Sequence, residues 1–150
     1  MADLGEYIPA VKYGHTLPLK NLQGGGILTF GNIFFVSSVD GSDSDSGTQP
    51  VSAKATLEAA INLCTANQGD TIFVLPNHAE TISSATALNF DVAGINIIGL
   101  GRGFNRPTIT LDTATTATIP VSAADIYVEN MIFSANFADI VSTFTLAAAK

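Results

Sequence analysis

Few side chains in this 150-residue chain could do chemistry, and their spacing argues against most of what they could do. Asp40, Asp43 and Asp45 alternate with serines, which invites a calcium loop. An EF-hand loop needs glycine at its sixth position and a bidentate Glu at its twelfth. Counted from Asp40, those positions hold Asp45 and Val51, so the stretch reads as a solvated Ser/Gly/Asp loop. His78 and Glu80 are a conceivable acid–base couple, but they follow Pro76-Asn77, which places them on a solvated turn. Asp91, Asp112, Asp125 and Glu129 form no evident pair, whereas glycoside hydrolysis needs two carboxyl groups roughly 5 to 10 Å apart; they read as corner or outward residues. Arg102 and Arg106 could hold a substrate carboxylate, and a corner salt bridge to a neighbouring acid is the plainer reading. Cys64 is the single cysteine, which excludes an intramolecular disulfide and thiolate metal sites. Its place on an apolar helix face marks a buried thiol. No catalytic residue, cofactor or metal is expected.

The formal net charge is −7, from six Lys plus Arg against thirteen Asp plus Glu. Binding a phosphate backbone needs clustered cations that displace counterions. The chain has no such cluster, so nucleic acid is not an expected partner. Residues 1 to 26 lack the basic start and continuous apolar core of a secretory signal, and no apolar run approaches the ~20 residues of a membrane-spanning helix. The expectation is a soluble protein made in the cytoplasm, with no membrane partner. Apolar residues make up 47 % of the chain and charged residues 13 %. With Trp absent and Thr, Ile, Val and Phe plentiful in the second half, this suits β structure better than a helical bundle. So little charge leaves a bland surface, part of which other subunits are expected to cover.

The elements that must position these residues are set by the stretch from 69 to 133. Its three apolar starts are Thr71-Ile72-Phe73-Val74-Leu75, Ile95-Asn96-Ile97-Ile98-Gly99-Leu100 and Ile126-Tyr127-Val128-Glu129-Asn130-Met131-Ile132-Phe133. They lie 24 residues apart (71 to 95) and 31 apart (95 to 126). Short strands recurring at such intervals with no helix between them predict a stacked solenoid, a parallel β-helix of about three coils. The expected strands are 71 to 75, 79 to 83 and 87 to 92, then 95 to 100, 107 to 112 and 117 to 121, then 126 to 133 and 140 to 146. Turn residues mark the corners at Pro76-Asn77, Ala93-Gly94, Gly101-Arg102-Gly103, Arg106-Pro107 and Ala123-Ala124-Asp125. The alternative is an antiparallel sandwich. Two matching phrases, 89 to 97 and 118 to 128, each an alternating strand, a small-residue corner and a second strand, favour the solenoid.

Ahead of the repeats, residues 53 to 66 predict a helix in which Leu57, Ala60, Ile61 and Cys64 share one apolar face. Ser52 is its expected N-cap and Asn67-Gln68-Gly69 its stop. Such a helix would seal the exposed end of the first coil. One or two strands are expected in 27 to 39, so that a domain at 27 to 150 follows an extended arm at 1 to 26. The arm holds Pro9, Pro18 and Gly24 to Gly26, which fit neither a helix nor a central strand. Its apolar residues Tyr7, Ile8, Val11, Tyr13, Leu17, Leu19 and Leu22 need a surface, on its own domain or on a neighbour, and are the candidate partner-binding residues.

Phe34-Phe35-Val36-Ser37-Ser38-Val39-Asp40-Gly41-Ser42-Asp43, Ala55-Thr56-Leu57-Glu58-Ala59-Ala60-Ile61, Gly69-Asp70-Thr71-Ile72-Phe73-Val74 and Gly94-Ile95-Asn96-Ile97-Ile98-Gly99-Leu100-Gly101 together resemble the opening of a right-handed β-helix of the pectin-lyase-like superfamily. There, a Val-Asp-Gly-Ser loop leads to a capping helix and a Gly-Asp-Thr-Ile phrase opens the first coil. The wording at 63 to 67 and 75 to 82 is most similar to structural proteins of tailed-phage virions. This resemblance implies a non-enzymatic capsid decoration or cement protein located in the virion. Its implied partners are the major capsid protein or other virion proteins and sister copies, with a homotrimer favoured. A tail or head fibre stem and a glycan-binding or glycan-cleaving module are the alternatives.

Overall fold

The computed structural model describes residues 31–112 and 114–146; the arm, with Tyr7, Ile8, Val11, Tyr13, Leu17, Leu19 and Leu22, lies outside the described residues. Among those residues the strands are β1 (Ile33–Val36), β2 (Thr71–Val74), β3 (Ala79–Ile82), β4 (Asn96–Gly99), β5 (Thr108–Leu111), β6 (Ile119–Val121), β7 (Tyr127–Glu129), β8 (Ile132–Ala135) and β9 (Phe144–Leu146). The one α-helix, α1, spans Leu57–Ile61. The protein is mainly β, in three sheets ordered β1-β2-β4-β7, β3-β5-β8 and β6-β9. Every strand pair is parallel, which rules out the antiparallel sandwich. An isolated parallel bridge, Phe90 to Val121, extends the smallest sheet by one residue.

Strand parity explains the core. In register, Phe34, Ile72, Ile97 and Val128 form one inward ladder, and Val36, Val74 and Gly99 the next. Ile82 and Leu111 do the same in the second sheet. Apart from Gly99, these residues, with Leu88, Phe90 and Ile119 and with Leu57, Ala60 and Ile61 of α1, make one apolar cluster to which all three sheets contribute. Gly99 belongs in its ladder because a Cβ there would meet the Asn130 carbonyl oxygen at 2.4 Å.

Four of the five expected corners contain a residue in the left-handed region: Asn77 (φ 63°), Gly94 (φ 71°), Gly101 and Gly103 (φ 103° and 57°) and Asp125 (φ 56°). Asn, Asp and Gly tolerate that conformation best. A further left-handed residue, Asn130 (φ 56°), corrects one expectation: it breaks 126 to 133 into β7 and β8, which pair in different sheets. Its side-chain amide donates to the Gly99 and Gly101 carbonyls at 2.7 and 3.1 Å, tying this corner to the one below.

The helix is shorter than its pattern. Residues 53 to 66 hold a five-residue α1, capped by Thr56, whose hydroxyl accepts from the Ala59 amide at 3.2 Å. Ser52 instead ends a 3-10 turn, Pro50–Ser52. Lys54 forms a parallel bridge to Val36, so the backbone before residue 57 is spent on pairing with β1 and cannot also be helical. Leu57, Ala60 and Ile61 are fully buried, as the apolar face requires.

Neighbouring isoleucines on β4 test the parity: Ile97 is fully buried and Ile98 is not. Ile97→Ala is expected to cost about 2–5 kcal/mol and Ile98→Ala under about 1 kcal/mol, measured by urea unfolding. Equal costs would refute the assignment of faces.

Candidate functional site

The best-built polar constellation surrounds the start of α1. His78 is not on a solvated turn: it is 1 % exposed. The Ser38 amide donates to its Nδ1 at 3.0 Å, and its Nε2 lies 3.3 Å from Glu80 Oε2. With Nδ1 accepting, the neutral ring carries its proton on Nε2 and donates it to the carboxylate. The same Glu80 oxygen accepts from the amide of Leu57, first residue of α1, at 2.9 Å. The Ala79 amide donates to the Ser38 hydroxyl at 2.8 Å, closing a reciprocal clasp between the loop after β1 and the start of β3. Glu80 stands in register with Ile109 and Phe133, so the position that is apolar in later steps is a carboxylate in the step nearest α1.

Two more carboxylates complete the attachment. Asp43 Oδ1 accepts from the amides of Ala55 and Thr56 at 2.8 and 2.9 Å, and Oδ2 from the Thr56 hydroxyl at 3.0 Å. Lys54 Nζ donates to the Asp43 carbonyl at 2.8 Å, so the Asp40–Asp45 region is knitted to the chain before the helix. Asp70, fully buried, accepts from Asn32 and Thr65 amides, the latter at 2.7 Å. Glu58, on α1 itself, accepts from the Asn89 amide at 2.8 Å. Asp70 was invisible to a search for chemistry because its only signal is the Gly-Asp-Thr-Ile phrase, and its role needs amides 38 and 5 residues away. What this arrangement does is hold backbone: the His78 nitrogens face an amide and a carboxylate.

The other candidates stay apart from it. Asp91 and Asp125 are exposed, Glu129 accepts from the Tyr127 hydroxyl at 3.2 Å and raises that phenol's pKa, and Asp112 accepts from the Asn136 amide at 3.4 Å. No group of three or more His, Cys, Asp or Glu able to hold a metal ion occurs among the described residues. None of their helices is long and apolar enough to cross a membrane.

Among the described residues neither Arg102 nor Arg106 forms the expected salt bridge, and the His78–Glu80 contact is a hydrogen bond of the neutral ring. Arg106 Nε instead donates to the Gly103 carbonyl at 3.3 Å. Between the arginines, on the 3-10 turn Gly103–Asn105, Phe104 is fully exposed. Sequence reasoning missed it because the corner glycines mark a turn without showing which way the ring points. An exposed aromatic beside arginine has the composition of an interface anchor.

Compared with known proteins, the chain matches no family model, no curated protein and no solved structure.

Two measurements probe this region. Glu80→Ala strips an acceptor from the Leu57 amide and from His78, and is expected to cost about 1–3 kcal/mol in urea unfolding. Cys64 is half-buried, and burial, with Asp70 adding, pushes its thiol pKa up to about 12 from 9.0. The unfolded thiol ionises first, so this group's contribution to stability is intact below pH 9 and lost as pH rises towards 12. A thiol reagent at pH 8 should label folded protein at least about tenfold more slowly than urea-unfolded protein.

Proposed function

We propose that this chain is a non-enzymatic virion structural protein of a tailed phage, a capsid decoration or cement protein that oligomerises on the shell as a trimer. We read its three parallel sheets as the faces of a short right-handed β-helix of about three coils. Strands paired between successive steps begin 25 residues apart (71 and 96), 29 apart (79 and 108) and 25 apart (119 and 144). That interval suits one turn of a solenoid.

The observation that carries the functional reading is the contrast between the two ends of the stack. At the first, α1 packs on β1 and β2 and is tied down by carboxylates. At the last, β7, β8 and β9 are, among the described residues, the outermost strands of their sheets. There Tyr127, Phe137, Val141, Phe144 and Leu146 are 46, 38, 92, 37 and 76 % exposed. Free strand edges beside exposed apolar side chains invite another chain. Sister copies or a capsid surface would cover them, and the low charge of the chain fits a surface made for contact. The arm at 1 to 26 and the Phe104 corner supply further contacts to the major capsid protein or other virion proteins.

Light scattering of the purified protein is expected to show a trimer, and a low-resolution cryo-EM map should place added protein at capsid lattice positions. Phe104→Ala should weaken particle binding about tenfold or more without lowering the melting temperature. A folded monomer whose particle binding survives deletion of residues 1 to 26 unchanged would sink the proposal.

A further inference from the structure

The turn that joins β4 to β5 holds a bare aromatic ring in a fixed frame. The Asn77 amide donates to the Asn105 carbonyl at 2.9 Å and the Asn105 amide to the Arg102 carbonyl at 3.1 Å. The Asn130 side chain donates to the Gly101 carbonyl, and Arg106 Nε to that of Gly103. Phe104, at the tip, is fully exposed. A ring presented on a pinned turn gives up little freedom when it docks. Of the lysines and arginines among the described residues, Lys54 is buried with its ammonium on the Asp43 carbonyl. The cations open to solvent, Arg102 and Arg106, both lie on this turn. A second turn, between β8 and β9, has the opposite character: Phe137, Asp139 and Val141 are exposed there. The Asp139 carboxylate and the Arg102 guanidinium have no hydrogen-bond or ion-pair partner among the described residues. These turns connect different pairs of sheets, and no ion pair joins their charges within the chain.

We infer that the two turns pair between copies of this chain: Phe104 of one copy packs against Phe137 and Val141 of the next, while its Arg102 and Arg106 face that copy's Asp139. Charge argues for a sister copy as the occupant. At a net charge of −7 two copies repel each other, and the approach that offsets this sets the few open cations against an acid. Phe137 offers the docking ring an edge-to-face contact, and the apolar groups around the charges exclude water, which strengthens the attraction. Every copy carries both halves, so no other protein is needed to complete the contact. Because the halves differ, the contact is heterologous, and such contacts close into a ring or run on as a filament. Closure at three rests on the trimer proposed above, whereas the pairing of the turns rests on exposure and charge. Loss of the ring also removes avidity, which is how Phe104→Ala would weaken particle binding.

The test uses the isolated full-length chain and light scattering. Arg102→Glu/Phe104→Ala removes the aromatic turn, and Asp139→Asn/Val141→Lys removes the acidic patch while Asn keeps the left-handed backbone at 139 (φ 65°). All four positions are exposed, so far-UV circular dichroism of both variants should match the parent. Each alone is expected to associate at least about tenfold more weakly than the parent. Mixed in equal amounts, they are expected to form a dimer of one of each, because the intact turn of one still meets the intact patch of the other. That dimer cannot grow, since its two free halves are the altered ones. A parent that stays monomeric, variants that associate like the parent, or a mixture that yields no dimer would each overturn the inference. So would loss of association in Asp40→Asn/Val51→Lys but not in Asp139→Asn/Val141→Lys, which would assign the acidic half to another face. A parent trimer indifferent to these variants leaves the proposed function standing, and failure of particle binding leaves the mixed dimer unaffected.

Discussion

A helix of five residues has no stability of its own in water, so α1 persists because side chains outside it satisfy the amides that lead into it. Asp43 takes the amides of Ala55 and Thr56, and Glu80 takes that of Leu57. A carboxylate accepting backbone N–H groups forms charge-assisted bonds, stronger than neutral ones. Their ionised state also suits the positive end of the first turn. Because Glu80 is simultaneously held by buried His78, which is held by Ser38, the helix is tied to the loop after the first strand and to the third strand. Leu57, Ala60 and Ile61 can then close the apolar cluster without a long helix to hold them in place.

Downstream of that lid, the structure depends on parity being kept from one step to the next. In a strand each residue shift reverses the face, so the corners must take up differences in length while the strands stay in register. Left-handed Asn and Asp residues do this at Asn77, Asp125 and Asn130. Asn130 also hydrogen-bonds two carbonyls of the corner beneath it, so the turn is fixed to its neighbour as well as bent. The same parity creates a second apolar ladder, since Phe35, Phe73 and Ile98 are outward for the reason that makes Phe34, Ile72 and Ile97 inward.

Much of the architecture was legible along the chain. Alternation located five of the six strands expected from 71 to 121 to within two residues, whereas the run 87 to 92 forms only an isolated bridge at Phe90, and glycine and asparagine marked the corners. The helix was over-extended at its start because pairing of Lys54 with Val36 claims the backbone there, and at its end because the apolar face continues to Cys64 although the C-cap falls at Asn62. The run from 126 to 133 looked continuous because Asn130 interrupts the chain's direction without interrupting its apolar character. His78 was misplaced for a related reason: a proline-asparagine turn is normally wet, and only the loop at Ser38 folding over it makes it buried.

By itself, the order of residues determined a β-rich chain of short repeating strands with one amphipathic helix ahead of them, because side-chain alternation and turn chemistry are local properties. It also showed that Asp40, Asp43 and Asp45 lack the spacing of an EF-hand loop. Only the tertiary structure decided that Asp43, Asp70 and Glu80 serve as anchors for backbone amides and that His78 is buried between Ser38 and Glu80. Each of those outcomes depends on groups far apart in the chain meeting at hydrogen-bonding distance, and no local pattern encodes that meeting.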